Sequence, residues 1–144
     1  MIAAGARTVR YLLDTNIISD ARRGNRTPVG SWIAAQRIDD LAISAITVLE
    51  LDVGVRRKER RDARAGSVLR QWFDEQVSQL FDRRILAVDA EVAVQASQLH
   101  VPDAMPDMDS LIAGTALAHS LTLVTRNVAD FANTGVRLLN PWED

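Results

Sequence analysis

The sequence predicts an α/β fold in three layers, α/β/α, with helices on both faces of a central, mostly parallel sheet of four or five strands. Two observations carry that reading. Short apolar runs of strand type, at 9–13, 41–45, 84–88, 121–125 and 136–139, alternate with helical stretches. Such alternation implies right-handed crossovers and a parallel sheet covered on both sides. The first run also stops abruptly at Asp14-Thr15-Asn16, as strands do where they reach the ligand-binding edge of an open parallel sheet.

Each element has a local reason. Residues 16–23 suggest a short helix ended near Gly24, and Thr27-Pro28 reads as an N-cap with proline at the first helical position of a helix to Gln36. A long helical region starts near Thr47, breaks near Gly66 and continues to about Phe81. Asp89 is placed to cap a helix over 90–100, and the two prolines within 101–106 require a loop. In the helix over 107–120, the small residues Ala113, Gly114, Ala116 and Ala118 allow close approach to the sheet. Trp32, Trp72 and Phe73 fit core or dimer contacts, and Trp142 fits a tail packed down on the body.

At 144 residues the chain predicts a single domain over 1–144, with no linker, repeat or low-complexity tract. A net charge of -2 gives no global attraction to nucleic acid or membrane, so any such binding falls to local patches. With no cysteine, disulfides, thiolate zinc sites and cysteine nucleophiles are excluded, which fits a reducing cytoplasm. The apolar run in residues 1–10 is too short for a secretory signal and is interrupted by Arg7 and Arg10. No apolar stretch approaches the ~20 residues of a membrane span.

Three acids and an amide occupy matching topological places. Asp14 and Asn127 each follow an apolar strand, Glu50 lies early in the helix after the second strand, and Asp109 lies in the first turn of the helix preceding the fourth. In a parallel sheet these positions share one edge. Crowded carboxylates raise one another's pKa unless a cation intervenes. Oxygen donors without histidine or thiolate clusters favour the hard cations Mg²⁺ or Mn²⁺, and such ions suit phosphodiester hydrolysis. Each residue also has a plainer reading. Thr47-x-x-Glu50 has capping-box spacing, Asp107 and Asp109 can complement a helix dipole, and Asp130 and Asp14 can serve turns.

Four ordered segments resemble the motifs of PIN-domain proteins. They are Leu12-Leu13-Asp14-Thr15-Asn16-Ile17-Ile18-Ser19, Ser44-Ala45-Ile46-Thr47-Val48-Leu49-Glu50-Leu51, Asp109-Ser110-Leu111-Ile112-Ala113-Gly114-Thr115-Ala116 and Leu123-Val124-Thr125-Arg126-Asn127-Val128-Ala129-Asp130-Phe131. The closing Asn140-Pro141-Trp142 is similar to one branch, the VapC/FitB-like toxins of bacterial toxin–antitoxin pairs. The resemblance implies a PIN-like sandwich, a Mg²⁺- or Mn²⁺-dependent endoribonuclease acting on RNA in the bacterial cytoplasm, a cognate VapB-like antitoxin and a homodimer. By motif, Asp14, Glu50 and Asp109 would be the metal-binding acids and Asn127 the fourth catalytic place, where a neutral oxygen replaces a charge. Asp130 could add a carboxylate through a water. Thr15, Asn16 and Thr125 would hold the acids by hydrogen bonds.

Two basic groups are candidate RNA contacts: Arg56, Arg57, Lys58, Arg60, Arg61 and Arg64, and the nearer Arg22, Arg23 and Arg26. The plain alternative is a solvated helix end. His100 and His119 lack metal-ligand spacing. An aspartyl-nucleophile phosphatase wants a second acid where Asn16 stands and a lysine in a later motif, but Lys58 is the one lysine in the chain. Receiver domains need that lysine too. The remaining alternative is a PIN-like binding module without nuclease activity, which Asn127 leaves open.

Overall fold

In the computed structural model, residues 9–143 are described. The reading of 1–10 as free of a secretory signal therefore falls largely outside the described residues. The chain runs β1 (Tyr11–Leu13), α1 (Thr15–Ala21), α2 (Pro28–Ala34), β2 (Leu41–Ser44), α3 (Ala45–Arg61), α4 (Ala63–Trp72), β3 (Ile85–Leu86), α5 (Ala90–Gln98), α6 (Asp107–Ala118), β4 (Thr122–Val124) and β5 (Leu138–Leu139). The five strands lie in the order β3-β2-β1-β4-β5, and every neighbouring pair is parallel. Among the described residues, no helix is long and apolar enough to cross a membrane.

Strand periodicity divides the core into two layers. Successive side chains point to opposite faces. Leu13, Leu41, Ile43 and Val124 therefore pack with Ile17, Val29, Val55 and Val77 on one side, while Leu12, Ala42 and Leu123 pack with Ile112, Ala113 and Ala116 on the other. Leu12 and Leu13 are both fully buried, as the central strand of a doubly covered sheet requires. Trp32 meets Tyr11 edge to face, with centroids 5.0 Å apart, at the rim of the first layer.

Two sequence expectations need correction. The helical break falls at Asp62, not Gly66: Asp62 is extended (φ -152°, ψ 99°) and caps α4 by accepting a hydrogen bond from Ala65 N at 3.1 Å. Gly66 lies one turn inside α4, where an added Cβ would meet the Glu59 backbone, so this glycine lets α4 fold back tightly on α3. Past Trp72 the helix widens into a π-helical stretch over Phe73–Gln79. Gly114 also serves a different contact from the one expected. An added Cβ there would stand 2.9 Å from Val92 O and Ala96 N, so the close approach is of α6 to α5, not of α6 to the sheet.

Candidate active site

Because the strands are parallel, the carboxyl ends of β1, β2 and β4 open on one edge, and the acids gather there. Asp14 follows Leu13 directly, and its N–H donates to Val124 O at 2.9 Å, so the sheet ladder fixes its backbone. Its side chain is 6% exposed. Oδ1 accepts from Thr15 N at 2.8 Å; Oδ2 accepts from Thr125 Oγ1 at 2.8 Å and from Asn16 Nδ2 at 3.3 Å. Asp14 is thus also the N-cap residue of α1, and the turn reading and the site reading describe the same geometry. Burial, chiefly, raises its pKa above the ordinary carboxylate value; the Thr125 and Thr15 hydrogen bonds oppose this, and the charges of Asp109 and Glu50 add to it.

Glu50 lies in the second turn of α3. The capping-box reading of Thr47 and Glu50 does not hold, because Ser44 caps α3 by accepting from Ile46 N at 3.0 Å. Instead Thr15 Oγ1 donates to Glu50 Oε1 at 2.6 Å and stands 3.0 Å from the buried Thr47 hydroxyl. Thr47 and Glu50, three residues apart on one helix face, thereby join α3 to the start of α1.

Asp109 sits in the first turn of α6, half-buried. Its pKa is raised, first by burial and then by the charges of Asp130 and Glu50. Asn127 is exposed; its N–H donates to Thr125 Oγ1 at 3.0 Å. Thr125 therefore ties the fourth motif to Asp14. Asp130, on the short 3₁₀ turn Val128–Phe131, acts on Asp109 by its charge and is not part of the pocket wall.

One open cavity of about 450 Å³ is lined by Asp14, Glu50, Asp109 and Asn127 together with Thr15 and Asn16. Ser19, Asp20, Arg23 and Arg126 complete its wall. The sequence expectations give Arg126 no role and make Thr47 a cap; the signals were Arg126's place beside Asn127 and the spacing of Thr47 from Glu50. The acids surround the cavity without closing on a point. Among the described residues, no three carboxylates or imidazoles form a set that could hold a metal ion as they stand. The donor chemistry still fits a hard cation. Apart from its two arginines the wall offers carboxylates, hydroxyls and amides with no imidazole, two of the acids hold protons more tightly than usual, and Glu50 is exposed, with Thr15 Oγ1 donating to its Oε1.

The other candidate residues lie elsewhere. At 1.5 Å rise per residue, Arg60 is about 15 Å along α3 from Glu50. Nearby, Arg56 pairs with Asp52 at 3.0 Å, while Arg70 bridges Asp52 at 2.8 Å and Glu59 at 3.0 Å, clasping α3 to α4. Arg22 lies over the Trp72 ring at 5.6 Å, outside the acidic pocket. His100 Nε2 is 3.9 Å from Asp107, and neither histidine lines the pocket.

The sequence model of the PIN domain matches residues 11–136. The chain belongs to the PIN-domain family. Its relatives include toxin FitB of Neisseria gonorrhoeae, 35% identical over 140 residues that cover 92% of this chain and 99% of FitB. A VapC ribonuclease of Sinorhizobium fredii, Y4jK, is 30% identical and covers 92% of this chain and 97% of its own. The crystal structure of FitAcB from Neisseria gonorrhoeae superposes with a TM-score of 0.84 at 34% identity, covering 93% of this chain and 99% of that one. This PIN domain is thus a VapC/FitB-like member, and its five-stranded parallel sheet with helices on both faces is the expected α/β/α sandwich.

Proposed function

We propose that this PIN domain is a metal-dependent endoribonuclease and the toxin of a VapBC-type pair. The observation that carries the reading is the meeting of Asp14, Glu50 and Asp109 on the wall of one solvent-open pocket. A second cavity, of about 340 Å³, has Arg22 as its one titratable group and offers no comparable chemistry. The relatives named VapC ribonuclease and toxin FitB support the activity class and the partner. On that basis the partner is a VapB-like antitoxin; a homodimer, which the family resemblance implies, is part of the same proposal.

Unscreened, the three carboxylates would repel a polyanion. Asp14, Glu50 and Asp109 would hold Mg²⁺ or Mn²⁺, with Asn127 offering a neutral carbonyl oxygen; when bound, the ion supplies screening and draws charge from the scissile phosphate. Thr125 and Thr15 N fix the Asp14 carboxylate, and Thr15 steadies Glu50. Glu50 and Asp109 orient a water for in-line attack on phosphorus. The new P–O bond forms as the bond to the 3′-oxygen breaks, the water's proton passes to the acids, the leaving 3′-oxygen takes a proton from solvent, and the products carry 5′-phosphate and 3′-hydroxyl ends.

Two features favour a second reading, a binding module without catalysis: the amide at 127 and the open spacing of the acids. Incubating the purified protein with total RNA, with Mg²⁺ and with EDTA, decides between them. Fragmentation in Mg²⁺ alone supports the nuclease, and intact RNA in both overturns it.

A further inference from the structure

The acidic pocket carries two guanidinium groups on its wall, Arg23 and Arg126. Arg23 lies 3.4 Å from Asp20. Arg126 is held differently. Its Cζ stands 4.4 Å from the centroid of the Trp142 ring, and among the described residues it forms no ion pair, although four acids line the same pocket. A guanidinium stacked on an indole is restrained in orientation while its in-plane N–H edge stays free. That edge is the fork that meets a phosphate with two parallel hydrogen bonds.

Both partners of the stack are anchored. The Arg126 N–H donates to Asn16 Oδ1 at 3.3 Å, and Asn16 Nδ2 donates to Asp14 Oδ2 at 3.3 Å. Through Asn16, the arginine backbone is thus tied to the buried acid. Trp142 N donates at 2.9 Å to Asn140 Oδ1, itself buried, and the indole packs against the first core layer. A cation at this spot offsets the field of the acids for an approaching polyanion on the Asn127 side of the pocket.

We infer that Arg126, held over the Trp142 ring, grips an RNA phosphate beside the scissile one and sets the strand's register over Asp14. This rests on the nuclease reading. Arg126 is the binding group and Trp142 the positioning residue behind it.

The test combines steady-state cleavage of a short labelled single-stranded RNA in Mg²⁺ with its binding to the same proteins in EDTA across a salt series. Arg126→Gln is expected to raise KM about tenfold with kcat within about twofold, and to lower the salt slope of binding by about one. Arg126→Lys should recover part of the KM. Trp142→Leu should raise KM less, and the double variant should be no worse than Arg126→Gln alone, because the indole acts through the arginine. Arg137→Gln, at the opposite sheet edge, should match wild type. An unchanged KM and salt slope in Arg126→Gln, additive effects of the two substitutions, or an equal loss in Arg137→Gln overturns the inference while wild type still cleaves. Wild type that leaves the RNA intact in Mg²⁺ overturns the nuclease reading and this inference with it.

Discussion

Thr125 Oγ1 donates a 2.8 Å hydrogen bond to Asp14 Oδ2 across 111 positions of sequence, joining the ends of adjacent strands β1 and β4. Both residues are buried. Thr125→Val keeps the shape and removes this donor, leaving the carboxylate less supported in its charged form. We predict a stability loss of about 1–3 kcal/mol, a large fall in RNA cleavage, and an acid limb of the pH–rate profile displaced to higher pH. A profile that stays in place would separate Thr125 from the ionisation of Asp14.

Asp14→Asn should reduce cleavage by about two to three orders of magnitude, the scale of losing one electrostatic contact made in the transition state. Its melting temperature in EDTA should be no lower than wild type. The buried, raised-pKa carboxylate costs free energy when charged, and the amide relieves that cost. Full activity in this variant would remove Asp14 from the chemistry.

Relative to a variant carrying both Asp14→Asn and Asp109→Asn, which keeps the opposing contributions of the lowered-pKa Asp52 and Glu59, the metal-free protein should lose stability as pH rises through the carboxylate range. Asp14 and Asp109 both have pKa values raised in the fold. At these two sites the folded state therefore binds more protons than the unfolded one, and the stabilisation they give below the unfolded pKa is lost as pH passes the folded value. Divalent cation should reverse this trend at neutral pH, by about 2.7 kcal/mol at a hundredfold excess over the dissociation constant. Urea denaturation in EDTA across the pH series, with and without Mn²⁺, reads both effects.

Gly66→Ala drives a methyl group into the Glu59 backbone, where α4 returns along α3. Overpacking of this kind costs about 1–3 kcal/mol. Thermal denaturation should show the loss, while cleavage by the folded fraction stays near wild type because Gly66 is not in the pocket wall.

Much of this was legible in the sequence, and the misses have physical causes. The strands announced themselves because a doubly covered sheet needs continuous apolar runs, as at Leu12-Leu13 and Leu41-Ala42-Ile43. Parallel topology then placed Asp14, Glu50, Asp109 and Asn127 on one edge before any distance was known. Intrinsic propensity points to Gly66 as the break between α3 and α4; tertiary contact uses that glycine inside the helix, and Asp62 makes the turn with its side chain. Thr47 looked like a cap because its spacing to Glu50 fits one, but only the fold shows Ser44 already capping and the Thr47 hydroxyl facing Thr15. The Arg126–Trp142 stack was out of reach, since it joins the fourth strand's end to a tail whose path local pattern does not determine.

Calorimetric titration of Mn²⁺ into the metal-free protein, beside Asp14→Asn and Asp109→Asn, bears most directly on the pocket. Saturable uptake by wild type that is lost or greatly weakened in both variants is the predicted result. Uptake that is absent from wild type, or equal in all three proteins, would show that Asp14 and Asp109 do not jointly hold a cation.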